Sequence, residues 1–217
     1  MGKPTKEELR AALRLYGVSD SSNLHGRSLP AVVEEICANG TTMVQLRDKD
    51  SDRGFVSMRA RALLLSCRAN KALFVVNDNV EIAKLVGADG VHLGQNDMPC
   101  EKARAFLGED FIIGVSVQTV EQALEAQAAG ADYLGVGAII ATPTKPDATI
   151  VSVDTLRAIV EAVDIPVVAI GGINAETIGM LEGTGIDGVA VVSALFGAED
   201  PKAASLELRA LVDKIVG

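Results

Sequence analysis

The chain has 217 residues, of which 48% are apolar, and its 29 acidic and 20 basic residues give a net charge of −9. This length fits one domain, and the apolar content excludes intrinsic disorder. The acidic charge and the low share of aromatic residues, 3%, argue against a nucleic-acid-binding protein, which needs a basic surface or rings on which bases stack. A bound anion would therefore need a local group of cationic side chains.

Neither a targeting signal nor a membrane span is visible in the sequence. The segment 1–20 is charged, and no uncharged apolar run reaches the roughly 20 residues of a spanning helix. Cys37, Cys67 and Cys100 are odd in number and form no Cys-x-x-Cys motif, so we expect three buried, reduced thiols. We therefore expect a soluble, cytoplasmic protein without a membrane partner.

Eight short runs rich in Val, Ile and Leu predict buried strands. Runs that are apolar throughout, instead of alternating with polar residues, are typical of a parallel sheet covered by helices. Stretches with apolar residues at three- and four-residue spacing lie between the strands, such as 120–130 and 153–163, and predict helices. The predicted strands span 15–18, 42–46, 72–76, 90–93, 111–115, 133–137, 166–170 and 188–192.

A short repeat supports a regular succession of strands and helices. The sequences Gly-Ala-Asp at 87–89 and 130–132 and Gly-Ile-Asp at 185–187 precede three predicted strands, and Asn39-Gly40 is a degraded fourth copy. We expect the glycine to end a helix in the left-handed conformation and the aspartate to turn the chain into the next strand. Eight strand–helix units predict an α/β fold, a single (β/α)8 TIM barrel over 1–217 with a short N-terminal extension before about Leu13.

Polar residues follow seven of the predicted strands, at the end of the barrel where function is found. We expect them to converge on one mouth. They are Arg47, Asp48 and Lys49 after the second strand, with Gln45 inside it, Asn77 and Asp78 after the third, Asp97 after the fourth, Ser116 after the fifth, Thr142, Thr144 and Lys145 after the sixth, Gly171-Gly172 after the seventh and Ser193 after the eighth.

The last two strands carry the pattern of a phosphate site. Gly171-Gly172 and Val192-Ser193 offer backbone N–H groups where such barrels often bind a phosphate. A glycine pair that serves only a tight turn is the alternative.

The third and fourth strands carry the pattern of a metal site. Asp78 and Asp97 follow neighbouring strands beside Arg47, Lys49 and Lys145, which suits Mg²⁺ together with a multiply charged phosphate. The residues alone leave open a carboxylate pair for acid–base catalysis and a set of salt bridges at the rim.

The two histidines lack metal-ligand spacing. We assign no function to His25, and we interpret His92, inside a predicted strand, as a core or rim histidine whose hydrogen bonds are satisfied within the fold.

Taken together, the strand-end motifs resemble the thiamine-phosphate synthase family, over nearly the whole chain from about Tyr16. Seven motifs in the same order and setting make the resemblance far more specific than any one of them. They are QLRDKD (45–50), NDN (77–79), GVHLGQND (90–97), GVSVQT (114–119), ATPTKPD (141–147), AIGGI (169–173) and AVVSAL (190–195).

The resemblance implies a transferase of thiamine biosynthesis with Mg²⁺ as cofactor. It would couple 4-amino-2-methyl-5-hydroxymethylpyrimidine diphosphate with 4-methyl-5-(2-hydroxyethyl)thiazole phosphate and release diphosphate. These small molecules would be its partners, and the oligomeric state stays open, a homo-oligomer included.

The resemblance also assigns roles to the strand-end residues. Asp78 and Asp97 would bind the metal, and Arg47, Lys49, Ser116 and Lys145 would act in catalysis. The pyrimidine diphosphate would contact Gln45, Arg47, Lys49, Asn77, Ser116 and Lys145. The thiazole phosphate would contact Thr142, Thr144, Gly172, Val192 and Ser193. Leu46, Asp48 and Pro143 are expected to bind substrate as well, without assignment to one of the two.

Three positions depart from the family pattern. Asp48 stands where Glu is usual, Ile140-Ala141 where an aromatic residue and Pro are usual, and Gln118 where His is common. A related thiazole tautomerase uses a histidine near position 118, by the same resemblance, and needs no diphosphate site. That enzyme and a non-enzymatic sensor of phosphate ligands are the alternative functions.

Overall fold

The computed structural model describes residues 2–22, 24–142 and 149–216. These residues form a closed parallel barrel in which each strand pairs with the next and the first pairs with the last. The predicted single-domain (β/α)8 barrel is confirmed, and every predicted strand is present with its ends shifted by at most two residues. The strands are β1 (Leu15–Val18), β2 (Met43–Leu46), β3 (Leu73–Asn77), β4 (Gly90–Leu93), β5 (Ile112–Val117), β6 (Tyr133–Val136), β7 (Val167–Ile170) and β8 (Gly188–Val191).

Helices connect most of the strands, and residues with side-chain acceptors begin several of them. Asn79 and Thr119, for example, each accept a hydrogen bond from a backbone N–H in the first turn of the helix that follows. The helices are α1 (Lys6–Ala12), α2 (Leu29–Cys37), α3 (Arg53–Ala69), α4 (Val80–Val86), α5 (Cys100–Leu107), α6 (Val120–Ala128), α7 (Val153–Ala162), α8 (Ser193–Phe196) and α9 (Pro201–Ile215).

The connection between β7 and β8 differs from the expected helix. It contains only a 3-10 turn, Ile178–Leu181. Residues 171–185 include five glycines, each of which costs about 1 kcal/mol in a helix relative to alanine, so an α-helix is unfavourable there. Gly185 therefore follows a turn and not a helix, although its φ of 79° is left-handed as predicted.

The repeated aspartates tie neighbouring strands together at the N-terminal end of the barrel. Each carboxylate reaches the start of an adjacent strand and satisfies a backbone N–H there, a stronger role than the predicted turn. Thr42, at the same place in the degraded copy, accepts a hydrogen bond of 3.4 Å from the N–H of Leu15. Asp89, Asp132 and Asp187 accept hydrogen bonds of 2.8 Å from the N–H groups of Phe74, Ile113 and Val167, respectively.

The barrel has two layers of core, one between strands and helices and one inside the lumen. The lumen is filled by inward-facing side chains, among which Tyr16 and Tyr133 are the largest that are fully buried. Leu9 and Leu13, from α1 and the residue that caps it, pack into the same cluster. The N-terminal extension thus closes one end of the lumen, and only the other end remains for a ligand.

Two further expectations concern the thiols and the membrane. All three cysteines are free, and Cys37 and Cys67 are buried as predicted, but Cys100 is only half-buried because it begins α5 at the rim. Among the described residues, no helix combines the length and the apolar character that crossing a membrane requires.

The tight packing of the lumen gives a first prediction. A Cβ at Gly114 would overlap the ring of Tyr133, which the filled lumen holds in place. We expect Gly114→Ala to lower the free energy of unfolding by about 1–3 kcal/mol, as overpacked cores do. Urea unfolding followed by circular dichroism measures the change.

Gly179→Ala is the matched control, because a Cβ at Gly179 would meet no atom within 4 Å. It should leave the stability equal or slightly higher. An unchanged unfolding midpoint in Gly114→Ala would contradict the packing described for the lumen.

Candidate active site

The C-terminal ends of the strands open on one mouth, where the side chains that follow β2, β3, β4 and β5 come together. Lys49 Nζ lies 3.2 Å from Asp78 Oδ2, so the loops after β2 and β3 meet. Gln95 Nε2 donates a hydrogen bond of 2.8 Å to the carbonyl oxygen of Ser116, so the loop after β4 meets the C-terminal end of β5. With the side-chain contact between Asp78 and Asp97, these pairs place four of the predicted strand ends along one side of the mouth.

Asp78 has an unusual backbone for a non-glycine residue. Its φ is 61°, in the left-handed region, while its N–H donates a hydrogen bond of 2.8 Å to the carbonyl oxygen of His92. This conformation costs about 1–2 kcal/mol, though aspartate tolerates it better than most residues. Strained residues of this kind occur often in functional sites, and here the strain accompanies a carboxylate at the mouth.

Asp97 lies against Asp78, as the sequence predicts. Its Oδ2 accepts a hydrogen bond of 2.7 Å from the N–H of Gly94, and a Cβ at Gly94 would crowd that oxygen. Burial raises the pKa of Asp97, and the Asp78 side chain, within hydrogen-bonding reach, raises it further. Two carboxylates this close repel each other when ionised, so the pair favours a bound cation.

Two cationic side chains follow β2, the strand next to the one that precedes Asp78. Lys49 pairs with Asp78, and Arg47 is half-buried at the end of β2, where its N–H donates to Ser19 Oγ at 2.9 Å. The Arg47 guanidinium forms no ion pair with any residue in the described ranges. These two cations supply the local positive charge that an anion needs in an acidic protein.

Two of the predicted contact residues have their side chains turned away from this group. Asp48 accepts hydrogen bonds from Arg59 Nη1 at 2.6 Å and from the N–H of Ser51 at 3.2 Å, so its carboxylate holds the start of α3. Leu46 is 1% exposed and packs in the core between barrel and helices. Contact with substrate through these two side chains stays a prediction that this geometry does not favour.

In the lumen beneath the carboxylate pair, the predicted residues Gln45 and Ser116 and the core histidine His92 are linked through two tyrosines, Tyr16 and Tyr133, that sequence reasoning missed. Gln45 Nε2 donates to the Tyr16 hydroxyl at 2.5 Å, and the Tyr16 and Tyr133 hydroxyls lie 3.0 Å apart. His92 Nδ1 lies 2.9 Å from the Tyr133 hydroxyl, and Nε2 lies 2.9 Å from Ser116 Oγ. We call these five residues the interior chain.

The interior chain is uncharged. Burial lowers the pKa of His92 to about 4, so its imidazole is neutral near pH 7, and burial raises the pKa of both Tyr16 and Tyr133. The interpretation of His92 as a histidine satisfied within the core is confirmed by its two hydrogen bonds. The hydrogen bonds of the interior chain were not predicted, because the sequence of a strand of four to six residues does not show which side chains face the lumen.

The predicted phosphate site lies beyond β7 and β8. Gly171 and Gly172 have φ values of 100° and 67°, and a Cβ at Gly172 would overlap Ile140 in the loop after β6. No described residue accepts a hydrogen bond from the N–H of Gly172. Ser193 begins α8, whose first N–H groups have no acceptor within the helix.

The loop after β6 is described only in part. Thr142 is half-buried and described, whereas Pro143, Thr144 and Lys145 lie outside the described residues. Asn77, the last residue of β3, is half-buried and lies beside His92 in register.

Known proteins resemble this chain over nearly its whole length. The profile of the family described as thiamine monophosphate synthase matches residues 15–195. Thiamine-phosphate synthase of Clostridium tetani (strain Massachusetts / E88) is 48% identical over 195 residues, which cover 89% of this chain and 93% of that protein. Thiamine-phosphate synthase of Pyrococcus abyssi (strain GE5 / Orsay) is 43% identical over 210 residues, 96% of this chain and 99% of that protein.

The fold agrees with the sequence comparison. The solved structure of thiamine phosphate pyrophosphorylase from Pyrococcus furiosus superposes with a TM-score of 0.89 at 42% identity. The superposition covers 96% of this chain and all of that one, 100%. Similarity in sequence and in fold thus extends through every strand end described above.

The raised pKa of Asp97 gives a prediction for stability. A carboxyl whose pKa is higher in the folded than in the unfolded protein favours folding only below its unfolded pKa, and the benefit is lost as the pH rises through the folded pKa. Without added metal, Asp97→Asn should therefore raise the free energy of unfolding at neutral pH, by about 1 kcal/mol or less for a partly exposed group. The gain should vanish below about pH 3.9, the ordinary pKa of aspartate.

Asp164→Asn provides the control, because Asp164 is an exposed aspartate that precedes β7 at the opposite end of the barrel. The urea concentration at its unfolding midpoint should stay close to that of the wild type, both at neutral pH and below about pH 3.9. A loss of stability at neutral pH in Asp97→Asn would contradict the repulsion assigned to the pair.

Proposed function

The chain belongs to the thiamine monophosphate synthase family and is an enzyme that makes thiamine phosphate, and we propose how its mouth does so. It joins 4-amino-2-methyl-5-hydroxymethylpyrimidine diphosphate to 4-methyl-5-(2-hydroxyethyl)thiazole phosphate. The observation that carries this proposal is the pair of carboxylates, Asp78 and Asp97, beside Lys49. One side of the mouth then holds a diphosphate and the other a single phosphate.

The diphosphate side is formed by the loops after β2, β3 and β4. Arg47 and Lys49 bind the diphosphate oxygens, and Lys145, outside the described residues, would join them. Ser116 and Asn77, half-buried at the inner edge of the mouth, contact the pyrimidine end of this substrate. This arrangement places positive charge where the leaving group accumulates negative charge.

Asp78 and Asp97 fit a magnesium ion. Mg²⁺ binds hard oxygen ligands and usually takes one or two carboxylates, with substrate phosphates and water completing the set. Among the described residues, no group of three or more His, Cys, Asp or Glu side chains is placed to bind a metal, so the proposed site has these two carboxylates only. Bound there, Mg²⁺ would supply positive charge that makes the diphosphate a better leaving group.

The phosphate side is formed by backbone groups. Gly172 and the first N–H groups of α8, at Ser193, donate to the phosphate of the thiazole substrate, and Val192 lines the same turn. Thr142 follows β6 on this side, and Pro143 and Thr144, outside the described residues, would join it. The two substrates thus face each other across the mouth.

The reaction needs electrostatic stabilisation more than a base. The bond between the pyrimidine methylene carbon and the diphosphate oxygen breaks, and its electron pair leaves with the diphosphate. The electron-rich aminopyrimidine stabilises the resulting cation, and the lone pair of the neutral thiazole nitrogen forms the new bond without loss of a proton. Arg47 and Lys49 stabilise the departing charge, and the filled lumen keeps water from reaching the cation from below.

The tautomerase alternative lacks support at position 118. Gln118 has no ionisable side chain, and its backbone N–H donates to Gln122 Oε1 at 2.8 Å. A tautomerase would also have no use for the carboxylate pair and its cations.

The direct test is an assay of the purified chain with both substrates and Mg²⁺, with thiamine phosphate detected by mass spectrometry. We expect product from the wild type and a loss of about 100-fold or more in Asp97→Asn, because a key electrostatic group is gone. Asp164→Asn, at the far end of the barrel, should keep full activity. Full activity of Asp97→Asn at limiting Mg²⁺ would contradict the metal site, and thiazole isomerisation without coupling would favour the tautomerase.

A second prediction separates the two sides of the mouth. Gly172→Ala places a Cβ against Ile140 beside the phosphate N–H groups. It should weaken thiazole phosphate binding by at least about 10-fold, since a displaced turn loses its hydrogen bonds, while pyrimidine diphosphate binding stays nearly unchanged. Isothermal titration calorimetry with each ligand measures both affinities.

Gly183→Ala is the control for backbone strain. Gly183 has a φ of 71°, close to the 67° of Gly172, but a Cβ there would meet no atom within 4 Å. Both variants carry a similar strain, so only the loss specific to Gly172→Ala reports on the site. Equal weakening of both ligands in Gly172→Ala would count against a separate phosphate side.

A further inference from the structure

The interior chain crosses the lumen from one side of the mouth to the other. It begins at Gln45 on β2, descends to Tyr16 on β1 and Tyr133 on β6, and returns through His92 on β4 to Ser116 on β5. The first four side chains are at most 8% exposed, and Ser116 alone is half-exposed. The chain therefore ends in a half-exposed hydroxyl group at the mouth.

A purely structural lumen would not need these groups. Phenylalanine and leucine would fill the same volume without the cost of removing hydroxyl, amide and imidazole groups from water. The fold also makes room for them, since a Cβ at Gly114 would overlap Tyr133 and one at Gly135 would lie 3.1 Å from His92 Cε1. No buried side-chain polar atom among the described residues lacks a hydrogen-bond partner, so the chain is complete.

The direction of every hydrogen bond in the chain follows from its first member. The Gln45 amide nitrogen can only donate, so the Tyr16 oxygen accepts. Among the described residues, the Tyr133 oxygen is the only other hydrogen-bond partner of the Tyr16 hydroxyl, so the Tyr16 proton goes to Tyr133. In the same way, the Tyr133 proton goes to His92 Nδ1, the only other described partner of the Tyr133 hydroxyl. A neutral imidazole that accepts at Nδ1 carries its proton on Nε2, which donates to Ser116 Oγ.

We propose that Tyr16, Tyr133 and His92 are positioning residues. They orient the Ser116 hydroxyl group so that it donates its hydrogen bond to an oxygen atom of the pyrimidine diphosphate. Because the Ser116 oxygen already accepts from His92, its own proton is the group left for the mouth. At the other end, Gln45 Oε1 becomes the acceptor offered to the substrate, whose amino group is a donor. The proposal deepens the proposed function and rests on it, but the direction of the chain is a property of the free enzyme.

The direction can be read by ¹⁵N NMR of the histidine rings in the substrate-free protein near neutral pH. The chain has two histidines, and His25→Asn, which alters the exposed one, assigns the signals of His92. We expect His92 to be neutral, with the proton on Nε2 and an unprotonated Nδ1. A proton on Nδ1, alone or together with one on Nε2, would reverse or break the chain and overturn the proposal.

A double-mutant cycle tests whether Tyr133 affects kcat through Ser116. Tyr133→Phe removes the donor to His92 Nδ1, which frees Ser116 to turn its proton towards the histidine. We expect kcat to fall about 10-fold, the size of one well-placed hydrogen bond, with an unchanged KM for thiazole phosphate. In a Ser116→Ala background the same substitution should have no further effect on kcat.

Ile112→Val is the matched control, since Ile112 lies in the same lumen but outside the interior chain. Any effect it has on kcat should be the same in the wild-type and in the Ser116→Ala background. An equal loss of kcat on Tyr133→Phe in both backgrounds would show that Tyr133 does not act through Ser116 and would overturn the proposal. If Tyr133→Phe does not fold, the position of the proton on His92 in the wild-type protein still decides the proposal.

The NMR experiment and the assay for thiamine phosphate together separate this inference from the proposed function. A proton on Nδ1 in an enzyme that makes thiamine phosphate overturns the inference alone. The expected tautomer in a protein that makes no thiamine phosphate supports the direction of the chain and overturns the proposed function.

Discussion

The parallel pairing of β1 with β8 closes the barrel, and every other feature of the protein depends on that closure. In a closed parallel barrel all strands point the same way, so residues far apart in sequence end at a single mouth. Closure also leaves a lumen that must be filled, and here Tyr16 and Tyr133 fill its middle while α1 closes its N-terminal end. The repeated aspartates hold that end together by satisfying backbone N–H groups of adjacent strands.

The mouth concentrates features that oppose stability. Asp78 adopts a left-handed backbone, and Asp97 has a raised pKa beside it. Both costs are consistent with a site that gains its full set of favourable interactions only when a cation and an anionic substrate are bound. The filled lumen beneath supplies a rigid base, so the ligating groups need not be ordered at the moment of binding.

The sequence was enough to predict the strands and much of the mouth, because both depend on simple local rules. Runs of apolar residues mark buried strands, and the residue after each strand of a barrel lies at the mouth, so the neighbouring positions of Asp78 and Asp97 followed directly. The 3-10 turn before β8 could have been predicted from the five glycines of its segment. The polar chain in the lumen could not, because strands this short and this apolar do not reveal which side chains face inwards.

Side-chain contacts between residues far apart in the sequence account for the remaining differences between the predictions and the structure. Asp48 lies in a charged motif at a strand end, but its partner Arg59 comes from α3, one element further along, and takes its carboxylate away from the mouth. Tyr16 and Tyr133 are separated by 117 residues and meet only because the barrel is closed. Contacts of this kind depend on the register of strands across the lumen, which no single segment of sequence specifies.

The central claim is that one mouth binds a metal-bound diphosphate on one side and a monophosphate on the other. A crystal structure of the protein with thiamine phosphate, diphosphate and Mg²⁺ tests it most directly. We predict density for Mg²⁺ between Asp78 and Asp97, diphosphate against Arg47, and the phosphate of the product at Gly172 and Ser193. Diphosphate bound away from the two aspartates, or a product phosphate elsewhere than at Gly172, would contradict the account.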